Sequence, residues 1–134
     1  MTAVLDTNVI LRHLLQDHEE QSPRASELMG RLFSGEIRAL LPVTVLFEAS
    51  YILQKTYGRT RAAIKDALEP LVSWRSLEMT ERRLAARAFE IYGAHNLSYA
   101  DSYHAALAER ENPPQLITFD RGLSRVRTIE RIEH

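Results

Sequence analysis

Short apolar runs that end in an acid or a proline alternate along this chain with stretches whose apolar residues recur at helical spacing. Few architectures accept that pattern. Strands that alternate with helices build a parallel sheet with helices on both faces, because each parallel crossover consumes a helix's length of chain. The runs at residues 2–5, 37–41 and 115–119 end at Asp6, Pro42 and Asp120; the first is apolar enough to be a buried strand. Residues 77–79 and 126–129 give two weaker strand signals.

Between these runs the helices have visible punctuation. Val9, Ile10, His13 and Leu14 share one helical face. Ser22 reads as an N-cap with Pro23 in the first turn, Ala25, Leu28, Met29 and Leu32 as the inner stripe, and Gly35 as the stop. A strongly apolar helix spans 42–57 and stops at Gly58, and Thr60 caps one whose inner face is Ile64, Ala67, Leu68 and Leu71. Thr80 opens another, with Leu84, Ala88 and Ile91 inward and Gly93 at its end; Ser98 starts the last, closed by Asn112-Pro113-Pro114. At 134 residues, with no repeat or linker, this is a single α/β domain over 1–134, a central parallel sheet flanked by helices on both faces.

Cysteine is absent, which excludes disulfides, Cys-ligated metals and a Cys nucleophile. No apolar run approaches the ~18–20 residues of a membrane span. Asp6 falls where a signal peptide would need its apolar stretch, so the expected location is cytoplasmic. Lys and Arg number 17 against 18 Asp and Glu, a net charge of −1, which argues against a broad basic face coating duplex nucleic acid. Lys55 and Lys65 are the only lysines; arginine suits forked phosphate contacts, although an arginine-biased genome gives the same count.

In such sheets functional groups gather beyond the carboxyl ends of the strands. Asp6 and Asp120 belong there, yet Asp6 also reads as a helix N-cap and Asp120 as the start of the turn through Arg121-Gly122. Glu48 interrupts a helix apolar almost all round. Facing the core it would need a cation, an arginine or a metal; otherwise it marks an exposed helix edge. Asp101 stands three residues after Ser98, at capping-box spacing. Each acid alone has an ordinary explanation. Together, two lie at strand ends and two near helix starts, and four converging carboxylates would repel unless divalent cations neutralised them. Oxygen ligands without Cys suit Mg²⁺ or Mn²⁺, which can bind a phosphodiester and activate water. Without these four acids the remaining charge is positive.

The segments Leu5-Asp6-Thr7-Asn8-Val9-Ile10-Leu11-Arg12, 42–53 around Glu48, Tyr99-Ala100-Asp101 and Thr118-Phe119-Asp120-Arg121 resemble, in order and spacing, the PIN-domain nucleases. Within these the chain is similar to the VapC-type ribonuclease toxins of type II toxin–antitoxin systems. The resemblance implies a metal-dependent endoribonuclease that leaves a 5′-phosphate and a 3′-hydroxyl. It also implies Asp6 and Asp101 as principal Mg²⁺ ligands, Glu48 and Asp120 completing the site, and Thr7, Asn8 and Thr118 orienting acids and waters. A homodimer and a cognate antitoxin, seated in a groove beside the site, are implied too.

Other residues have two readings each. Arg12, Arg121 and Arg125 are either RNA-phosphate contacts or solvated surface arginines. His104, one turn after Asp101, touches the site or packs elsewhere; Trp74 and Tyr99 stack bases or pack. Two other functions compete: a binding module on the same fold, and a phosphotransferase or phosphatase acting on small molecules. Against the second, Asp6 has no acid two residues on, and no glycine-rich phosphate loop occurs.

Overall fold

The computed structural model describes residues 2–133. In chain order the elements are β1 (Ala3–Val4), α1 (Thr7–Leu15), α2 (Gln21–Ser34), β2 (Ala39–Leu40), α3 (Val43–Lys55), α4 (Arg61–Leu68), β3 (Leu77–Glu78), α5 (Arg82–Ala94), α6 (Tyr99–Glu109), β4 (Gln115–Ile117) and β5 (Glu130–Ile132). Single 3₁₀ segments, Glu69–Ser73 and Arg121–Arg125, follow α4 and β4.

Every strand pair is parallel, as the alternation of strands and helices requires. The ladder comes in two pieces: β1–β2–β3, with Val4 opposite Leu40 and Leu40 opposite Glu78, and a separate β4–β5 pair. The core between the helices is built from Leu41, Leu46, Leu68, Leu77, Phe89 and Tyr99, all fully buried. Its aromatic heart is a stack of Phe89 on Tyr99, centroids 4.2 Å apart, with Tyr92 and Phe47 edge-on.

Several expected boundaries move, each for a physical reason. The first run is not buried: β1 lies at the edge of its sheet, Val4 is exposed, and the inward residue is Leu5, one position on. Ser22 is not an N-cap but sits inside the first turn of α2, where its hydroxyl accepts from the His18 amide. α5 starts at Arg82 rather than Thr80 and runs through Gly93, which leaves room for the Lys65 side chain packed against it. The last strand is Glu130–Ile132, not 126–129; Val126 and Ile129 are apolar because they are buried in the turn before it. Thr60 does cap α4, accepting from the Ala63 amide at 3.1 Å, and Gly35 ends α2 at φ 84°, a left-handed conformation that favours glycine.

Candidate active site

Parallel pairing brings the exits of β1 and β2 to one edge. The Leu5 amide donates to the Leu40 carbonyl at 2.8 Å, so Asp6 leaves β1 beside Pro42, the residue that opens α3. Asp6 has the extended backbone of an N-cap, but its carboxylate makes no capping hydrogen bond. It is exposed, at the N-terminus of α1. Thr7 beside it is buried and Asn8 exposed.

Glu48 does not face the core. The buried residues of α3 are Val45, Leu46, Ala49, Ser50 and Leu53, whereas Thr44, Glu48, Tyr51 and Gln54 form an exposed stripe at helical spacing on the other side. The apolar appearance of the helix came from Phe47, Tyr51 and Ile52, which lie at its flanks or in solvent. Of the two ordinary explanations for Glu48, the exposed edge holds and the arginine partner does not: among the described residues no ion pair includes it.

α6 begins as its sequence suggests. Ser98 Oγ accepts from the Asp101 amide at 3.0 Å, and the Ser102 hydroxyl returns to the Ser98 carbonyl at 2.8 Å. The capping box is only half formed, because no bond from the Asp101 carboxylate reaches back to the Ser98 amide. Asp101 is therefore half-buried with its carboxylate uncommitted. The preceding loop is pinned by Arg61, whose guanidinium donates to the carbonyls of Tyr92 (3.2 Å) and Leu97 and to Asn96 Oδ1 (3.1 Å) while lying over the Tyr92 ring. Tyr99 is buried and donates its hydroxyl to the Ala85 carbonyl at 2.8 Å; burial pushes its pKa upward, so it stays protonated.

Asp120 follows β4 and opens a turn, accepting from the Gly122 amide at 2.8 Å through Oδ1; its own amide donates to Thr118 Oγ1 at 3.0 Å. The turn reading thus holds for one of the two carboxylate oxygens, and among the described residues Oδ2 accepts no hydrogen bond. A side chain at Gly122 would meet Leu97 at 3.4 Å, which places this turn against the loop leading to Ser98.

Glu48 and the Ser98–Ala100 start of α6 line one cleft of about 500 Å³, with Phe47, Tyr51, Tyr92 and Tyr99 as its walls. Asp120 adjoins the same loop, and Asp6 stands at the strand edge where α3 begins. The contacts thus link Glu48 to the start of α6 and the Asp120 turn to the loop before it, but among the described residues no three Asp, Glu or His side chains form a ready-made cation cluster. The donor chemistry suits a hard divalent cation: oxygen ligands only and, among the described residues, no arginine or lysine in an ion pair with any of the four acids.

The remaining residues are less central. Arg12 is engaged by Gln21 (3.1 Å) and Asp17 (3.4 Å), whereas Arg121 and Arg125 are exposed. His104 is exposed, and Trp74 packs edge-on against Phe33 at 5.1 Å at the end of its 3₁₀ turn. Tyr51 and Gln54, on the outer stripe of α3, were passed over in the sequence; their signal is three-residue spacing from Glu48 and from each other. No described helix is long and apolar enough to cross a membrane.

Residues 3–129 match the family model described as PIN domain, and proteins with this domain are typically nucleases that use divalent metal ions. No curated protein sequence matches the chain.

Proposed function

Because the chain belongs to the PIN-domain family, we propose that it is a metal-dependent endoribonuclease of the VapC toxin type, acting in the cytoplasm as a homodimer restrained by a cognate antitoxin. The observation that supports this reading most is that Glu48 and the start of α6 line one cleft, the Asp120 turn lies against the loop before α6, and among the described residues no ion pair includes Asp6, Glu48, Asp101 or Asp120.

In this reading Asp6 and Asp101 hold Mg²⁺ or Mn²⁺, and Glu48 and Asp120 complete the site directly or through water. When bound, the cation lowers the pKa of water and stabilises the oxygen that leaves the scissile phosphate. Thr118 fixes Asp120 through its amide, Ser98 fixes Asp101 through its amide, and Arg61 holds the loop that carries Ser98. Thr7 and Asn8 flank Asp6 as its orienting groups. Glu48, at the open side of the cleft, can accept a hydrogen bond from the attacking water. Arg121 and Arg125 are exposed near Asp120 in sequence and suit the RNA backbone.

The test is cleavage of a mixed RNA pool by the purified chain, in Mg²⁺ or Mn²⁺ and again in EDTA. Products bearing 5′-phosphates, lost in EDTA, are expected. Cleavage that survives EDTA overturns the metal requirement. A second reading, a binding module without turnover, is favoured by the lack of a ready-made acid cluster among the described residues. RNA left intact by protein free of co-purified inhibitor would support it.

A further inference from the structure

The cleft between α3 and the start of α6 has a composition that a backbone-binding groove would not have. Its floor is the faces of Phe47, Tyr92 and Tyr99, and Tyr51 stands at the opening with 61% of its surface exposed. Glu48 is the one charged side chain that lines it among the described residues. Away from Glu48 the lining is aromatic and apolar, so that part of the cleft suits a neutral, flat group. One polar group of the floor is already used, the Tyr99 hydroxyl, which donates to the Ala85 carbonyl. Free polar groups stand at the rim, where the exposed Gln54 carboxamide lies one helical turn beyond Tyr51.

We infer that this cleft is a nucleobase subsite, in which Tyr51 stacks an unpaired base of the RNA and Gln54 reads its edge. The inference rests on the nuclease reading for its substrate and adds how that substrate is chosen. A carboxamide offers a donor and an acceptor side by side and pairs in bidentate fashion with adenine, whose amino group and ring nitrogen present the complement. Because Glu48 and the Ser98–Ala100 segment line the same cleft, a base held there sets which phosphodiester lies beside the acids. Base stacking on an aromatic face tolerates every base, so Tyr51 governs affinity and Gln54 governs preference.

The experiment uses Asp101→Asn protein in Mg²⁺, so that RNA is bound without being cut. Binding of short, fluorescently labelled, unpaired RNAs, adenine-rich and uracil-rich, is followed by anisotropy. Tyr51→Ala is expected to weaken both RNAs by roughly 5- to 150-fold. Tyr51→Phe keeps the ring and is expected to keep the affinity. Gln54→Ala is expected to erase a preference for the adenine-rich RNA. Circular dichroism and sedimentation accompany each variant. Affinity unchanged in Tyr51→Ala overturns the proposal, as does a parent protein that binds neither RNA. An altered oligomeric state with unchanged RNA affinity also overturns it, and assigns the cleft to a second copy of the chain. The nuclease reading fails separately: wild-type protein that cuts nothing, while Tyr51→Ala still loses RNA, leaves a base-binding cleft on a non-catalytic domain.

Discussion

Helix α6 carries one acid near each end, and the two are treated in opposite ways. At the C-terminal end Glu109 is enclosed by a fork: Arg87 donates to its two oxygens at 2.8 and 2.7 Å, and Thr128 adds a hydroxyl. These contacts, the Arg87 hydrogen bond foremost, hold the Glu109 carboxyl below its usual range against the opposing effect of burial. At the N-terminal end Asp101 uses its amide on Ser98 and leaves its carboxylate without a partner. The first arrangement joins α5 to α6 and then to the turn before β5. The second joins nothing. A carboxylate kept ionised by its own fold is structural, and one left for something outside the chain is available for chemistry.

The contrast is broken most severely by exchanging Asp101 for asparagine. Cleavage is expected to fall by about 10²-fold or more, comparable with losing one preorganised electrostatic contact, while melting of the metal-free protein changes little. A variant that cuts RNA normally would place Asp101 with the structural acids.

The converse substitution is Arg87→Ala. It strands Glu109, whose side chain is only 16% exposed, and is expected to cost about 2 kcal/mol in urea unfolding. That is less than for a fully buried pair, because Arg87 is 38% exposed and partly screened by solvent. RNA cleavage below the melting temperature should be unaffected. The same pair sets a pH dependence. Because the folded-state pKa of Glu109 is depressed from 4.5, its stabilisation is complete above that value and is lost as pH falls through the folded pKa. Acid unfolding of Glu109→Gln should therefore show a shallower limb below about pH 4.5 than wild type; matching limbs would remove the Arg87 fork from the account.

The smallest effect is expected from Glu48→Gln without metal. An exposed carboxylate with no ion pair leaves little to lose, so stability should stay within about 0.5 kcal/mol while cleavage falls. Marked unfolding would make Glu48 structural after all.

Much of this was legible in the sequence where the determinant is local. Ser98 and Thr60 declare their caps, Asp120 declares its turn, and Gly35 its left-handed stop, because each acts within a few residues. What was hidden depends on distant chain. The sequence left Glu48 open between a core-facing acid and an exposed edge because Tyr51 and Ile52 are apolar, and only the packing of α3 against the core decides which face is outside. Glu109 carries no local signal, since its partner Arg87 lies 22 residues away on another helix. The division of acids into neutralised and free ones follows from such pairings, which periodicity does not reveal.

That division is tested most directly by thermal melting of wild type and Asp101→Asn against increasing Mn²⁺ or Mg²⁺ at constant ionic strength. Binding to the folded state raises the melting temperature with cation concentration, by about 2.7 kcal/mol of added stability at a hundredfold excess over the dissociation constant. The account predicts that rise for wild type and its loss or marked reduction in Asp101→Asn. No rise in wild type, or an equal rise in both proteins, would contradict it.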